Sequence, residues 1–239
     1  NNYCDNYLSV SKYKDYGPNG LQVEGSQTIN KIVSGVSANL DLIEQAVVEK
    51  ADAIFVHHGI FWENESNVIV GSKRKKIDLL IKNNINLFAY HLPLDAHSEV
   101  GNNVELGRIL GIKNMKSVDD SLLWHGDLDT DLMNFTRLIQ KELGRVPEIF
   151  GRKNNSVNSI AWCTGGAQGF IDEAINLNVD IYLSGEVSER TPAVAKENNL
   201  TYISAGHHAT ERYGVQALCE HLCTKFKLKQ QFIEVNNSV

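Results

Sequence analysis

The chain repeats itself. Slid by 128 residues without gaps, "IVSGVSANLDLIEQAVVEKADAIFVHH" (32–58) lies on "IAWCTGGAQGFIDEAINLNVDIYLSGE" (160–186). Ile32 meets Ile160, Ile43 meets Ile171, Glu44 meets Asp172, Ala46 meets Ala174 and Asp52 meets Asp180. A looser match follows, with "KNNINLFAYHLPLDAH" (82–97) against "KENNLTYISAGHHATE" (196–211). Within the first copy, "KIVSGV" (31–36) is short and β-branched, and "NLDLIEQAVVEKA" (39–51) sets Leu42, Ile43, Ala46 and Val47 at helical spacing. "DAIFVHH" (52–58) and "NLFAYH" (86–91) read as strands, and "KIDLLIKNNI" (76–85) and "VELGRILGI" (104–112) as helices. Strands alternating with helices predict an α/β chain with mostly parallel sheets and flanking helices. The repeat divides it into two similar halves, residues 1–118 and 119–239, with the C-terminal helix and strand free to pack back on the first half.

With 239 residues, the chain has room for two small domains and a sizeable core. Its formal net charge of −6 argues against a general nucleic-acid surface. The one dense basic run, "SKRKK" (72–76), reads as a solvated helix start or loop, and a phosphate is the ligand it would suit. The four cysteines form no CxxC pair, which predicts reduced thiols in a cytoplasmic protein. No apolar stretch approaches the length of a membrane span. The opening "NNYCDNYLSV" lacks a methionine, which predicts further residues upstream.

Ligands of open parallel sheets bind beyond the carboxyl ends of the strands, and that is where the polar residues cluster. His57 and His58 end one predicted strand, and His91, Asp95 and His97 follow the next. Glu186 and Glu189 follow a third, and His207, His208 and Glu211 a fourth. Six of the eight histidines fall in these loops, which converge if the halves pack face to face. Three chemistries compete for such a cluster. A nucleophilic serine site lacks its GxSxG elbow. Acid–base work needs one or two histidines and leaves the others unexplained. A metal site between the halves uses them all, since imidazole and carboxylate suit zinc, iron, manganese or nickel. His207 and Glu211 lie four apart, so at a helix start both can face one cation.

"DYGPNGLQVEG" (15–25), "VHHG" (56–59), "HLPLDAH" (91–97), "GNN" (101–103) and "SAGHHATERYGV" (204–215) resemble a family of toroidal hexamers with a dinuclear metal centre. Its members are related to the NGG-one-interacting factor, and many are named GTP cyclohydrolase I type 2 homologues. The length is similar to that of the short bacterial form. The resemblance implies two divalent ions per chain held by His57, His58, Asp95, His207 and Glu211, with Glu211 the bridging candidate. It also implies a homohexamer and a nucleotide or other phosphate-containing substrate. The activity it implies is a metal-dependent hydrolase of the cyclohydrolase type. A non-catalytic metal-binding toroid is the rival, and a ring threading nucleic acid is disfavoured by the charge.

Other residues carry weaker signals. His91 and Glu186 are candidate catalytic residues acting beside the ligands, Glu186 because it occupies the repeat position of His58. His97 and His208 each follow a better-placed ligand and read as supporting or structural. His125 and His221 lie outside the clusters and read as surface residues. "CTGGAQG" (163–169) is a glycine-rich turn without the spacing of a nucleotide-binding loop. "GPNG" (17–20) is a turn by composition, and Trp62 is placed to stack on a base or to fill a core.

Overall fold

Parallel strands covered on both faces read as continuous apolar runs, and the observed sheets show why these runs are where they are. The computed structural model describes residues 1–119, 121–152 and 156–239. The chain divides into two compact units, residues 1–101 with 214–236 and residues 102–213 with 237–239. The expected boundary at 118/119 therefore falls inside the second unit. The helix Asn102–Ile109 explains the difference, because Val104 and Leu106 pack in one core with Trp124, Ile160 and Trp162.

The first unit holds strands β1 (Gly20–Val23), β2 (Lys31–Ser37), β3 (Ala53–His58), β4 (Asn86–Ala89) and β11 (Lys229–Phe232). They form a five-stranded sheet in the order β1-β4-β3-β2-β11, parallel except for the antiparallel pair β1–β4. Alternation along each strand supplies two cores. Val33, Ile54, Val56 and Leu87 pack beneath Leu42, Ile43 and Ala46 of the helix Leu40–Val48 and Leu80 of the helix Gly71–Lys82. Ile32, Ala53, Phe55 and Phe88 face Cys4, Leu8 and residues Val215, Leu218, Cys219 and Leu222 of the C-terminal helix.

The second unit holds β5 (Lys113–Ser117), β6 (Trp124–Asp131), β7 (Glu148–Gly151), β8 (Ser156–Cys163), β9 (Ile181–Ser184) and β10 (Thr201–Ser204). Their order is β5-β6-β8-β9-β10-β7. The parallel pattern holds for β8-β9-β10, but β5–β6, β6–β8 and β7–β10 are antiparallel, so this sheet is mixed. Helix Leu132–Leu143, with Phe135 and Ile139 buried, covers one face, and Ile171 and Ala174 of the helix Ile171–Asn176 cover the other.

The 128-residue displacement carries one sheet register into the other. Ile32 pairs with Ala53 in the first unit, and Ile160 pairs with Ile181 in the second. Asp52 Oδ2 accepts the N–H groups of Asn30 and Lys31 at 2.7 and 2.9 Å. Asp180 Oδ2 accepts those of Asn158 and Ser159 at 2.8 and 3.1 Å. Each aspartate thus ties the head of one strand to its parallel neighbour just before the two begin to pair.

Candidate metal centre

Adjacent residues of a strand point to opposite faces, so His57 and His58 can meet only where β3 ends. His58 is its last residue, and the two rings lie 4.6 Å apart between centroids. His57 is fully buried and sends its Nδ1–H to the carbonyl of Tyr90 at 2.9 Å. His58 Nδ1 is held by Ser37 Oγ at 2.9 Å, across the register pair Ser37–His58. His91 follows β4 and caps the helix Leu92–Ala96, and its Nδ1–H reaches Asp15 Oδ1 at 2.6 Å. The nearest donor atoms of His57, His58 and His91 all fall within 4.8 Å of one another. Asp95, buried in that short helix, places Oδ1 3.4 Å from His57 Nε2.

The second unit builds its part at the C-terminal ends of β9 and β10. His207 opens the helix His207–Thr210. Its Nδ1–H reaches Glu186 Oε1 at 2.7 Å, and its Nε2 lies 3.1 Å from Glu211 Oε2. Burial pushes the His207 imidazolium pKa down, but the Glu211 and Glu186 carboxylates bonded to the ring outweigh it and raise the value to about 9. Close backbone approach shapes the loop. Gly165 has φ +69°, donates its N–H to Thr210 Oγ1 at 3.0 Å and accepts from the Gly185 N–H at 2.9 Å. The glycine-rich "CTGGAQG" segment is thus a turn that braces the 206–211 loop.

All four histidines follow one plan. Nδ1 is engaged by a protein group in each, and in His57 and His207 Nε2 faces a carboxylate. Metal-binding imidazoles are oriented in this way by a carboxylate or carbonyl. Two ligands of a tetrahedral ion with bonds of about 2.1 Å stand about 3.4 Å apart. The Nε2-to-carboxylate spacings of 3.4 and 3.1 Å, one within each unit, are close to that value. Imidazole nitrogen with carboxylate oxygen is a donor set suited to zinc, iron, manganese or nickel.

The remaining expectations resolve as follows. Glu186 orients His207, and His91 joins the histidine group. His97 is structural, with Nε2 on the Tyr7 carbonyl at 3.1 Å and Nδ1 accepting the N–H groups of Glu99 and Val100. His208 is buried, and its backbone N–H reaches the Val239 carbonyl. His221 is no plain surface residue, since it bonds the Tyr3 hydroxyl at 2.6 Å and stacks on Tyr7 at 4.3 Å. His125 lies on β6, and Glu189 is exposed. Trp62 is half-buried, its ring set edge-on to His91 with centroids 5.2 Å apart, and with Pro18, Gln22 and Phe61 it lines a shallow depression. Asp15, Ser37 and the Tyr90 carbonyl were not singled out from the sequence. Only Asp15, at the head of the "DYGPNG" turn, left a side-chain signal there.

The first unit gathers three oriented imidazoles and a carboxylate at its strand ends and the second unit one imidazole with two carboxylates, donor sets that could hold metal ions. Residues 1–238 match the family described as Duf34/NIF3 (NGG1p interacting factor 3). The "GTP cyclohydrolase 1 type 2 homolog" of Allochromatium vinosum is 48% identical over 239 residues, covering 98% of this chain and 94% of that protein. The protein of the same name from Pseudomonas aeruginosa is 47% identical over 240 residues, covering 98% and 95%. A solved structure described as "protein ybgI, unknown function" superposes with a TM-score of 0.96 at 44% identity, covering 100% of this chain and 97% of that one. The chain belongs to the Duf34/NIF3 family, as its motifs led us to expect.

Proposed function

We propose that the chain is a metal-dependent hydrolase whose two divalent ions are held by His57, His58, Asp95, His207 and Glu211, acting as a homohexamer on a nucleotide or other phosphate-containing substrate. The observation that carries this reading is the shared orientation of the histidines, each anchored through Nδ1. The names of the curated relatives favour a cyclohydrolase-type reaction. When bound, a pair of divalent ions supplies Lewis acidity and activates water. The chain's own residues set the conditions for that chemistry. His57, Asp95 and Glu211 are withdrawn from solvent, where charges are felt more strongly. Glu186 holds the His207 ring, and His91 and Trp62 line a shallow depression beside His57.

One observation favours the rival reading, a metal-binding protein without turnover. Arg212, a cation suited to a triphosphate, spends its guanidinium on the carbonyls of Glu142 and Leu143. In the basic run, Lys73 is bonded to the Ser66 carbonyl and faces Glu65 at 3.5 Å. Elemental analysis of protein purified without added metal, paired with GTP turnover before and after chelation, separates the two. About two ions per chain, lost together with ring-opening, support the hydrolase. Two ions without turnover on GTP or simple phosphate esters support the rival, and no metal after reconstitution removes both.

A further inference from the structure

Asp15 is a carboxylate with four hydrogen bonds beside the histidine group, and its ring partner lies outside the five-residue ligand set. Its side chain is 3% exposed. Oδ1 accepts from the His91 ring at 2.6 Å and from the Tyr16 N–H at 2.7 Å. Oδ2 accepts from Asn19 Nδ2 at 2.8 Å and from the Leu92 N–H at 2.9 Å. Asn19 Oδ1 in turn accepts the His91 N–H at 2.7 Å, so the 15–19 turn locates both the backbone and the ring of His91. Burial pushes the Asp15 carboxyl pKa up, and the bonds from His91 and Asn19 outweigh it and hold the acid below its usual range.

Glu186 does the same with His207: a carboxylate takes Nδ1–H, and there Nε2 lies 3.1 Å from a second carboxylate, Glu211. We propose that Asp15 and His91 form a carboxylate–histidine pair that makes His91 Nε2 a third imidazole donor, beside His57 and His58, to the metal site of the first unit. The inference rests on the metal reading above and adds a sixth protein ligand to it. Donors within 4.8 Å of one another suit a group distributed over two ions about 3.5–4 Å apart. Asp15 is then a positioning residue, acting on the metal only through the imidazole.

The test is a crystal structure of the full chain loaded with Zn(II), located by anomalous scattering at the zinc edge. We expect zinc beside His57 and His58, with His91 Nε2 at about 2.0–2.1 Å from an ion. Zinc bound there with His91 Nε2 beyond about 3 Å overturns this inference and leaves the metal reading standing. No zinc at His57 and His58 removes both. In solution, Zn(II) competition titrations on chelator-treated protein should show Asp15→Asn binding about 10–100-fold more weakly, and His91→Gln at least as impaired. Unchanged affinity in His91→Gln, with His57→Ala impaired, again counts against His91 alone. The buried Asp15→Asn variant can fail to fold, so His91→Gln and the wild-type crystal decide the question without it.

Discussion

Gly185 is enclosed by backbone. A Cβ added to it would lie 2.6 Å from the Gly165 carbonyl oxygen and 2.7 Å from His207 Cα, neither of which is free to swing aside. At Gly165 a Cβ would overlap the Glu211 carboxylate, and φ +69° adds about 1–2 kcal/mol of backbone strain for any L-residue. Both Gly185→Ala and Gly165→Ala should therefore displace His207 or Glu211 and lower metal content, as elemental analysis of the folded variants would read. Wild-type occupancy in both would show that this loop does not hold the ions. The thiols make a second prediction. Burial pushes the Cys219 and Cys223 thiols up, and Cys219 is fully buried while Cys223 is partly exposed. Iodoacetamide at pH 8 should modify Cys223 well before Cys219 in peptide mapping, and the reverse order would contradict the packing of the C-terminal helix. At this scale the histidines and carboxylates were legible because they sit at strand ends, where side-chain chemistry interrupts an apolar run. The pairing of Asp15 with His91 was not, since 76 residues separate them and no local spacing links them. The anchor of His57 is a backbone carbonyl, which leaves no mark in a sequence.

The helix Leu40–Val48 begins at Asn39, whose side chain accepts the Leu42 N–H at 2.9 Å. Asn39→Ala should cost about 1 kcal/mol, measured by urea unfolding, and no loss would mean that the cap is replaceable by water. Where this helix ends, Lys31 at the start of β2 bonds both the carbonyl and the carboxylate of Glu49, each at 2.7 Å. The Lys31 ammonium holds the Glu49 carboxyl below its ordinary value of 4.5. An acid depressed in the folded state stabilises it above the unfolded value and loses that contribution as pH falls through the folded one. The melting temperature of Glu49→Gln should trail wild type near neutrality and converge with it as pH falls below 4.5. A pH-independent gap would place the effect elsewhere. The parallel strands were legible because burial on both faces demands apolar residues at every position. β5 shows one half-buried residue in five and β11 none fully buried, so each packs through one side chain, Met115 or Phe232, and no apolar pattern marks them. The mixed pairing of the second sheet escaped the sequence because an apolar run does not say in which direction its partner strand runs.

Metal removal tests the molecule as a whole. A ligand that binds only the folded state adds about 2.7 kcal/mol at a hundred times its dissociation constant. Exhaustive chelation should therefore lower the melting temperature, and restoring zinc or manganese should raise it; an unchanged transition would argue against any cation at the strand ends. The proposed homohexamer is open to a direct check by light scattering. No helix among the described residues is long and apolar enough to cross a membrane. The repeat was the most informative feature of the sequence, since its displacement reappears in the sheet registers. The division at 101/102 was not legible, because the helix Asn102–Ile109 is amphipathic and its pattern names no partner.

The path of the chain has a consequence for its biosynthesis. The first unit is discontinuous, and residues 214–236 supply both its edge strand β11 and the helix covering one face. On the ribosome, residues 1–101 emerge with the β2 edge unpaired and Ile32, Phe55 and Phe88 bare. The middle of the chain can meanwhile condense around Trp124, Phe135 and Trp162. The half that is made first is finished last, and through most of translation it is a natural client for a nascent-chain chaperone.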